Sequence, residues 1–425
     1  MKALIHASQI KESSFKAPPS KSYTHRAYAI ASLAKGTSKI KDPLRAGDTD
    51  STLNTCKAFG AAIEESGDEV VIEGTAGRLK TPPGEIDAEN SGTTIRLFTS
   101  IAALNGKVRL TGDESIQKRP MQPLLDALSQ LGVSAASVKG NGLPPIEVSG
   151  GGIQGGEAKI KGDISSQFIS SLLIASPYAK KPVTITLTTP LKSKPYVDVT
   201  IDIMRAFGIE VENKDYHVFK VPQGVYMSRE YRVEGDYSSS SYLLALGALS
   251  NTKITVKNLP KESVQGDRAI FDILKAMGAR IKRHGSSITV EGGALEGIEV
   301  DLGNTPDLLP TVAALASQSK GKTLVKNVAH ARLKESDRIS ACAKEFSKFG
   351  VKTWEGRDFL IIEGGKGLKG ARVNSHGDHR MVMALAILGV CAQGGTIIDH
   401  AESVGISFPG FFDALKTAGV EVELR

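Results

Sequence analysis

Lys21, Ser22, His25 and Arg26 recur at helical spacing in the run Pro18-Pro19-Ser20-Lys21-Ser22-Tyr23-Thr24-His25-Arg26. A helix that starts near Ser20 puts Lys21 and His25 on one face and Ser22 and Arg26 on another, within a turn of its positive end. Cations there oppose the helix dipole and cost stability unless an anion lies against them, so the run reads as an anion site more readily than as a plain cap. In Ala88-Glu89-Asn90-Ser91-Gly92-Thr93-Thr94-Ile95-Arg96, Ser91 suits an N-cap. Gly92 weakens a first turn by up to about 1 kcal/mol unless space is needed there. A third start, Lys161-Gly162-Asp163-Ile164-Ser165-Ser166-Gln167, offers two hydroxyls and an amide, which an ordinary cap also explains. Arg119, in Gln117-Lys118-Arg119-Pro120, has the forked guanidinium that clamps a carboxylate or phosphate. The densest polar run is Arg332-Leu333-Lys334-Glu335-Ser336-Asp337-Arg338. A solvated helix face with local ion pairs and a functional cluster both remain open readings of it. His376-Gly377-Asp378-His379-Arg380 has the residue types of a metal site, but no second ligand group has matching spacing, so no metal is expected.

These runs are positioned by a repeat. An apolar residue, a glycine and a small or apolar residue close a predicted helix six times, at Phe59-Gly60-Ala61, Leu131-Gly132-Val133, Phe207-Gly208-Ile209, Met277-Gly278-Ala279, Phe349-Gly350-Val351 and Ala418-Gly419-Val420. The spacing is about 70 residues. Glycine suits such an end because it enters the left-handed conformation without a Cβ clash, and no phosphate-binding glycine fingerprint lies between a strand and a helix. A second helix recurs with polar openings near Ser20, Ser91, Ser165, Ser238, Asp307 and Asp378. It is apolar for several turns, as in Met381-Val382-Met383-Ala384-Leu385-Ala386-Ile387-Leu388, and so is expected to be buried on nearly all faces. Branched residues follow it in Lys107–Thr111, Pro182–Leu187, Lys253–Val256 and Lys322–Val325, the composition of strands. Each unit therefore reads as buried helix, strand, outer helix and strand pair, in an α/β chain. Helices starting at equivalent places are expected to turn their positive ends towards one cleft.

With 425 residues, the chain exceeds what one core usually serves, so the six units are expected to divide three and three between two domains. No apolar run approaches bilayer length, which argues against a membrane protein. The first residues lack a signal-type apolar core, and three scattered cysteines suit a reducing cytoplasm better than a disulfide framework. A net charge of +7 invites a nucleic-acid reading. The basic residues are dispersed among acids, however, and aromatics are 5%, too few for stacking platforms. Small anions are the better match.

Six motifs, taken together and in order, resemble the 5-enolpyruvylshikimate-3-phosphate synthase family of enolpyruvyl transferases. They are Lys21-Ser22 with Arg26, Asn90-Ser91-Gly92-Thr93-Thr94-Ile95-Arg96, Ser165-Ser166-Gln167, Ser193-Lys194-Pro195-Tyr196, the Arg332–Arg338 run and Asp378-His379-Arg380. The resemblance implies a two-domain inverse α/β barrel of six βαβαββ units, with helices inside, sheets outside and the active site in the cleft between domains. Crossovers near Ala17-Pro18 and Arg232-Val233 would give one domain of residues 18–232 and a discontinuous one of 1–17 plus 233–425. The implied reaction moves the enolpyruvyl group of phosphoenolpyruvate to the 5-hydroxyl of shikimate 3-phosphate, without metal or cofactor, in a cytoplasmic monomer.

Carried over by motif, Ser22, Arg26, Ser165, Ser166, Gln167, Ser193, Asp307 and Lys334 would hold shikimate 3-phosphate. Phosphoenolpyruvate would lie against Lys21, Gly92, Arg119, Gln167, Arg338 and Arg380. Asp307 would be the base at the hydroxyl and Glu335 the proton donor and acceptor at the methylene carbon, with Lys21 and Lys334 serving the departing phosphate. Two positions depart from the family pattern. Ile406 stands where many members have a lysine, and His330 where many have an asparagine. The sister family acting on UDP-N-acetylglucosamine shares the architecture, but typically has a lysine-asparagine pair near its N-terminus and a reactive cysteine in a glycine-rich loop. This chain has Lys21-Ser22 and no cysteine near Arg119.

Overall fold

The computed structural model describes residues 1–365 and 367–425. Packing divides them into two units, Met1–Pro18 with Glu234–Arg425, and Pro19–Val233. Each unit has three four-stranded sheets among the described residues, and all six share one strand order. In the Pro19–Val233 unit, Ile86–Asp87 pairs parallel with Lys107–Thr111, which pairs antiparallel with Ile146–Ser149, which in turn pairs antiparallel with Ser134–Ser137. Parallel neighbours need a long connection; here it is the buried helix Gly92–Ala102. The outer helix Gln122–Gln130 follows the second strand. Period-two burial orients each sheet: Val183, Ile185 and Leu187 of strand Val183–Leu187 point into the core and Thr184 and Thr186 are only half-buried.

Helices Lys21–Leu33, Gly92–Ala102 and Ser166–Ala175 are the buried helices of that unit. Tyr237–Ala248, Leu309–Gln318 and His379–Cys391 pack against one another in the Met1–Pro18 and Glu234–Arg425 unit. Every residue of Tyr237–Ala248 is buried, its four serines included. The six repeat glycines all take positive φ, from 78° at Gly132 to 101° at Gly60, which only glycine adopts without steric cost.

Three helix starts differ from expectation. Ser20 stands at the N-cap of Lys21–Leu33 but makes no side-chain cap bond. Asp236, not Ser238, caps Tyr237–Ala248, accepting from the Ser239 backbone N–H at 2.7 Å. Asp307 lies in a 3-10 turn, Pro306–Leu308, ahead of Leu309–Gln318 and makes no cap bond. Its carboxylate is held elsewhere.

The discontinuity has a simple physical form, an exchange of strands. Ser13–Lys16 immediately precedes helix Lys21–Leu33 in sequence but pairs parallel with Ile254–Lys257 of the other unit. Glu230–Arg232 precedes helix Tyr237–Ala248 but pairs parallel with Thr37–Lys41. Lys2–His6 lies between Gly395–Asp399 and Val422–Leu424 and completes the sixth sheet.

Candidate active site

In the Pro19–Val233 unit, Lys21 and His25 do share a face, and both meet Asp48 in the first turn of helix Gly47–Ala58. Lys21 Nζ lies 2.7 Å from Asp48 Oδ2, and His25 Nε2 lies 3.5 Å from the same oxygen. Burial pushes the Asp48 carboxyl up, but Lys21 and then His25 outweigh it and hold it well below the usual carboxylate range. The ammonium at this helix start thus has an internal counterion.

Arg26, expected to face a ligand, is instead enclosed, at 1% exposure. Its Nε donates to Thr200 Oγ1 at 2.6 Å, Nη1 to the Ser22 carbonyl at 2.9 Å, and Nη2 to Ser170 Oγ and the Tyr196 carbonyl, both at 3.2 Å. It ties three helices together. Burial lowers its pKa to about 10, so it remains a cation at neutral pH.

The space expected at Gly92 exists, and Arg119 occupies it. A Cβ built on Gly92 would stand 2.5 Å from Arg119 Nη1, while Arg119 Nη2 donates to Ser115 Oγ at 3.2 Å. Gly92→Ala must therefore displace the guanidinium. We expect it to raise the KM for an anionic substrate about tenfold with a smaller change in kcat; a KM within twofold of wild type would show that Arg119 does not need this space. Gln167 bridges two helix starts, donating from Nε2 to Thr93 Oγ1 at 2.8 Å and accepting from Arg96 Nη1. Ser165 accepts the Gln167 backbone N–H at 3.3 Å as an N-cap, and Ser166 follows it, buried. Ser193 opens helix Lys194–Ala206 at φ 56°, a left-handed conformation that is unusual for serine and often marks a functional turn.

The other unit centres on Arg338, the first residue of helix Arg338–Ser347. The solvated-face reading fails there, because Arg338 is 1% exposed. Its Nε donates to Asp378 Oδ2 at 2.8 Å, Nη1 to Asp307 Oδ1 at 2.6 Å and Nη2 to Glu335 Oε2 at 2.7 Å. Burial works against the charged guanidinium, but Asp378, Glu335 and Asp307 outweigh it and raise its pKa well above the ordinary arginine value. Arg380 Nη2 donates to Asp307 Oδ2 at 3.0 Å, and Lys334 Nζ lies 3.4 Å from Asp307 Oδ1. Three cations thus surround one carboxylate. Asp378 also caps its helix, accepting the Arg380 backbone N–H at 2.9 Å, and accepts from Ser336 Oγ at 3.0 Å. His376 of the same run turns to Glu345, 2.9 Å away. His330 lies in the 3-10 turn Ala329–Leu333, and Ile406 ends the turn Ala401–Ile406.

Two acids escaped the sequence reading. Asp48 looks like any acid in a helix first turn, where the dipole favours it. Asp267, in the turn Gly266–Ala269, accepts from Ser238 Oγ. Burial, and next the charge of Asp307, push its carboxyl up to about 7. The folded carboxyl keeps its proton to about that pH, whereas the unfolded one releases it near 4. Stability therefore falls as pH rises through that window, and the deficit is complete above it. Asp267→Asn is expected to raise Tm by a few degrees at pH 8 and to change it little at pH 4; an equal shift at both, measured by calorimetry, would refute this.

Each unit thus gathers cations at helix starts around carboxylates, and six repeats of one strand order carry them. The family model for EPSP synthase (3-phosphoshikimate 1-carboxyvinyltransferase) matches residues 6–415, and the chain belongs to that family. It is 51% identical over 415 residues to the 3-phosphoshikimate 1-carboxyvinyltransferase of Methanocaldococcus jannaschii, with 96% of each chain covered. It is 49% identical over 414 residues to that of Methanococcoides burtonii, with the same coverage. Among solved structures, EPSP synthase from Acinetobacter baumannii superposes with a TM-score of 0.85 at 26% identity, covering all of both chains.

Proposed function

We propose that this chain is a 3-phosphoshikimate 1-carboxyvinyltransferase, which joins the enolpyruvyl group of phosphoenolpyruvate to the 5-hydroxyl of shikimate 3-phosphate and releases phosphate. The step serves chorismate and aromatic amino-acid synthesis. The observation that carries the reading is the buried Arg338 cluster, with Asp307, Glu335, Lys334 and Arg380 around it, in a chain so similar to curated transferases of that name.

Chemically, the 5-hydroxyl oxygen attacks C2 of phosphoenolpyruvate as C3 gains a proton; C3 then loses a proton as the bond from C2 to the phosphate oxygen breaks. Asp307, in ion-pair contact with Lys334, Arg338 and Arg380, is assigned the hydroxyl proton. Glu335, less enclosed than Arg338, is assigned the transfers at C3. Lys21 and Lys334 would balance the charge of the departing phosphate. In this reading Arg119, Arg338, Arg380, Gly92 and Gln167 receive phosphoenolpyruvate. Ser22, Ser165, Ser166, Ser193, Asp307 and Lys334 receive shikimate 3-phosphate, and Arg26 holds Ser22 in place. No described helix is long and apolar enough to cross a membrane; a monomer working on small anions in the cytoplasm completes the proposal.

Phosphate release from phosphoenolpyruvate, with shikimate 3-phosphate or UDP-N-acetylglucosamine as acceptor, tests the assignment. Release with the first acceptor alone is expected. Release only with the second would move the chain to the sister activity.

A further inference from the structure

His25 belongs to no role assigned so far, yet it sits inside a continuous buried polar chain. Its Nδ1 lies 2.6 Å from Thr52 Oγ1, Thr52 Oγ1 lies 2.6 Å from Thr94 Oγ1, and Thr94 Oγ1 lies 2.6 Å from Ser91 Oγ. Ser91 Oγ also caps helix Gly92–Ala102, accepting the Thr94 backbone N–H at 3.1 Å. At the other end, His25 Nε2 faces the Asp48 oxygen that pairs with Lys21. All five side chains from Asp48 to Ser91 are buried. A histidine on a buried helix is more often a satisfied core residue than part of a site. Here, however, each of its nitrogens leads to a different candidate substrate-binding helix start.

The acceptors fix the direction of the protons. Asp48 is an acceptor only, and at 3.5 Å its charge favours the tautomer that turns Nε2–H towards it, with Nδ1 then accepting from Thr52. Thr52, having given its proton to His25, accepts from Thr94, and Thr94 accepts from Ser91. Every donor in the chain then points from the Ser91 cap towards Asp48, where the Lys21 ammonium meets it from the other side. Burial lowers the His25 pKa against the pull of Asp48, and Lys21 and Arg26 lower it further, so the ring is neutral at pH 7.

We propose that His25 is a positioning residue for the transfer reaction: it couples the Lys21–Asp48 pair to the hydroxyl chain Thr52–Thr94–Ser91 and so sets the Lys21 and Gly92 helix starts as one piece against phosphoenolpyruvate. This rests on the functional reading above. A break in the chain would loosen the Lys21 side chain relative to Gly92, whereas the Ser22 carbonyl stays anchored by Arg26 and Ser165, Ser166 and Ser193 lie on other helix starts. A merely structural role would not distinguish the two substrates.

Thr52→Val removes the hydroxyl at nearly constant volume, and Thr52→Ser keeps it. Thr52→Val is expected to raise the KM for phosphoenolpyruvate about tenfold while the KM for shikimate 3-phosphate stays within about twofold, with Thr52→Ser near wild type on both. Equal changes in both KM values, no change, or a serine variant as impaired as the valine one would overturn the proposal. A 15N NMR spectrum of unliganded wild type at pH 7 supplies an arm that needs neither substrate nor a folded variant. A neutral ring protonated on Nε2 is expected, and a ring protonated on Nδ1 would overturn the proposal. Wild-type phosphate release judges the functional reading separately.

Discussion

Asp307→Asn is expected to lower kcat about a thousandfold, because in the proposed mechanism it removes the general base at nearly constant volume. The carboxylate accepts from Arg338 and Arg380 and lies against Lys334. An amide cannot balance those cations, and its nitrogen cannot accept the hydroxyl proton. Loss in kcat, with a smaller change in either KM, would mark an interaction made chiefly in the transition state. The measurement is single-turnover phosphate release with both substrates saturating. A kcat within tenfold of wild type would remove Asp307 from the proton transfers and shift attention to Glu335. Raised KM for both substrates with kcat unchanged would make it a neutralising group for Arg338 and Arg380.

The repeat was legible because its signals are local. A helix end needing positive φ selects glycine, and Gly60, Gly132, Gly208, Gly278, Gly350 and Gly419 all adopt it. A helix buried on every side shows no polar/apolar alternation, and Tyr237–Ala248 is buried throughout, Ser238–Ser241 included. The strand exchange was not legible from the pattern itself. Ser13–Lys16 and Glu230–Arg232 are short, and nothing in either states which sheet it will join. The exchange came from family resemblance.

The site divides along the same line. Lys21 and Gly92 stood out through residue type at helix starts, and Arg119 and Arg338 through residue type and local clustering, whereas their partners did not. Asp48 and Asp267 stand in turns where an acid is unremarkable, and only tertiary packing brings them to Lys21 and Ser238. Arg26 was legible in type but not in its surroundings. Its type suggested a ligand, but burial gave its donors to Thr200, Ser170 and two carbonyls. Spacing predicts which side chains share a face, but not which faces become interior.

Arg338→Met is expected to be the most destabilising single change in this cluster. The guanidinium answers three carboxylates at once, Asp378, Asp307 and Glu335, and Asp378 is fully buried. Removing one partner of a buried ion pair costs about 3–5 kcal/mol, because the remaining charge keeps its desolvation penalty and loses its compensation. For a unit of this size that lowers Tm by roughly 10 °C. The pH dependence follows from the same physics. In wild type burial raises the Asp378 carboxyl, but Arg338 pulls it below its ordinary value; without Arg338, burial and like charge would raise it, and the folded state would bind more protons than the unfolded one. The deficit should therefore be larger at pH 8 than at pH 5. Calorimetry of Arg338→Met, Asp378→Asn and the double variant separates the terms. If the cost is uncompensated charge, the double variant should be more stable than Arg338→Met at pH 8, since the amide removes the charge left behind. Simple additivity of the two losses would mean instead that Arg338 acts through packing.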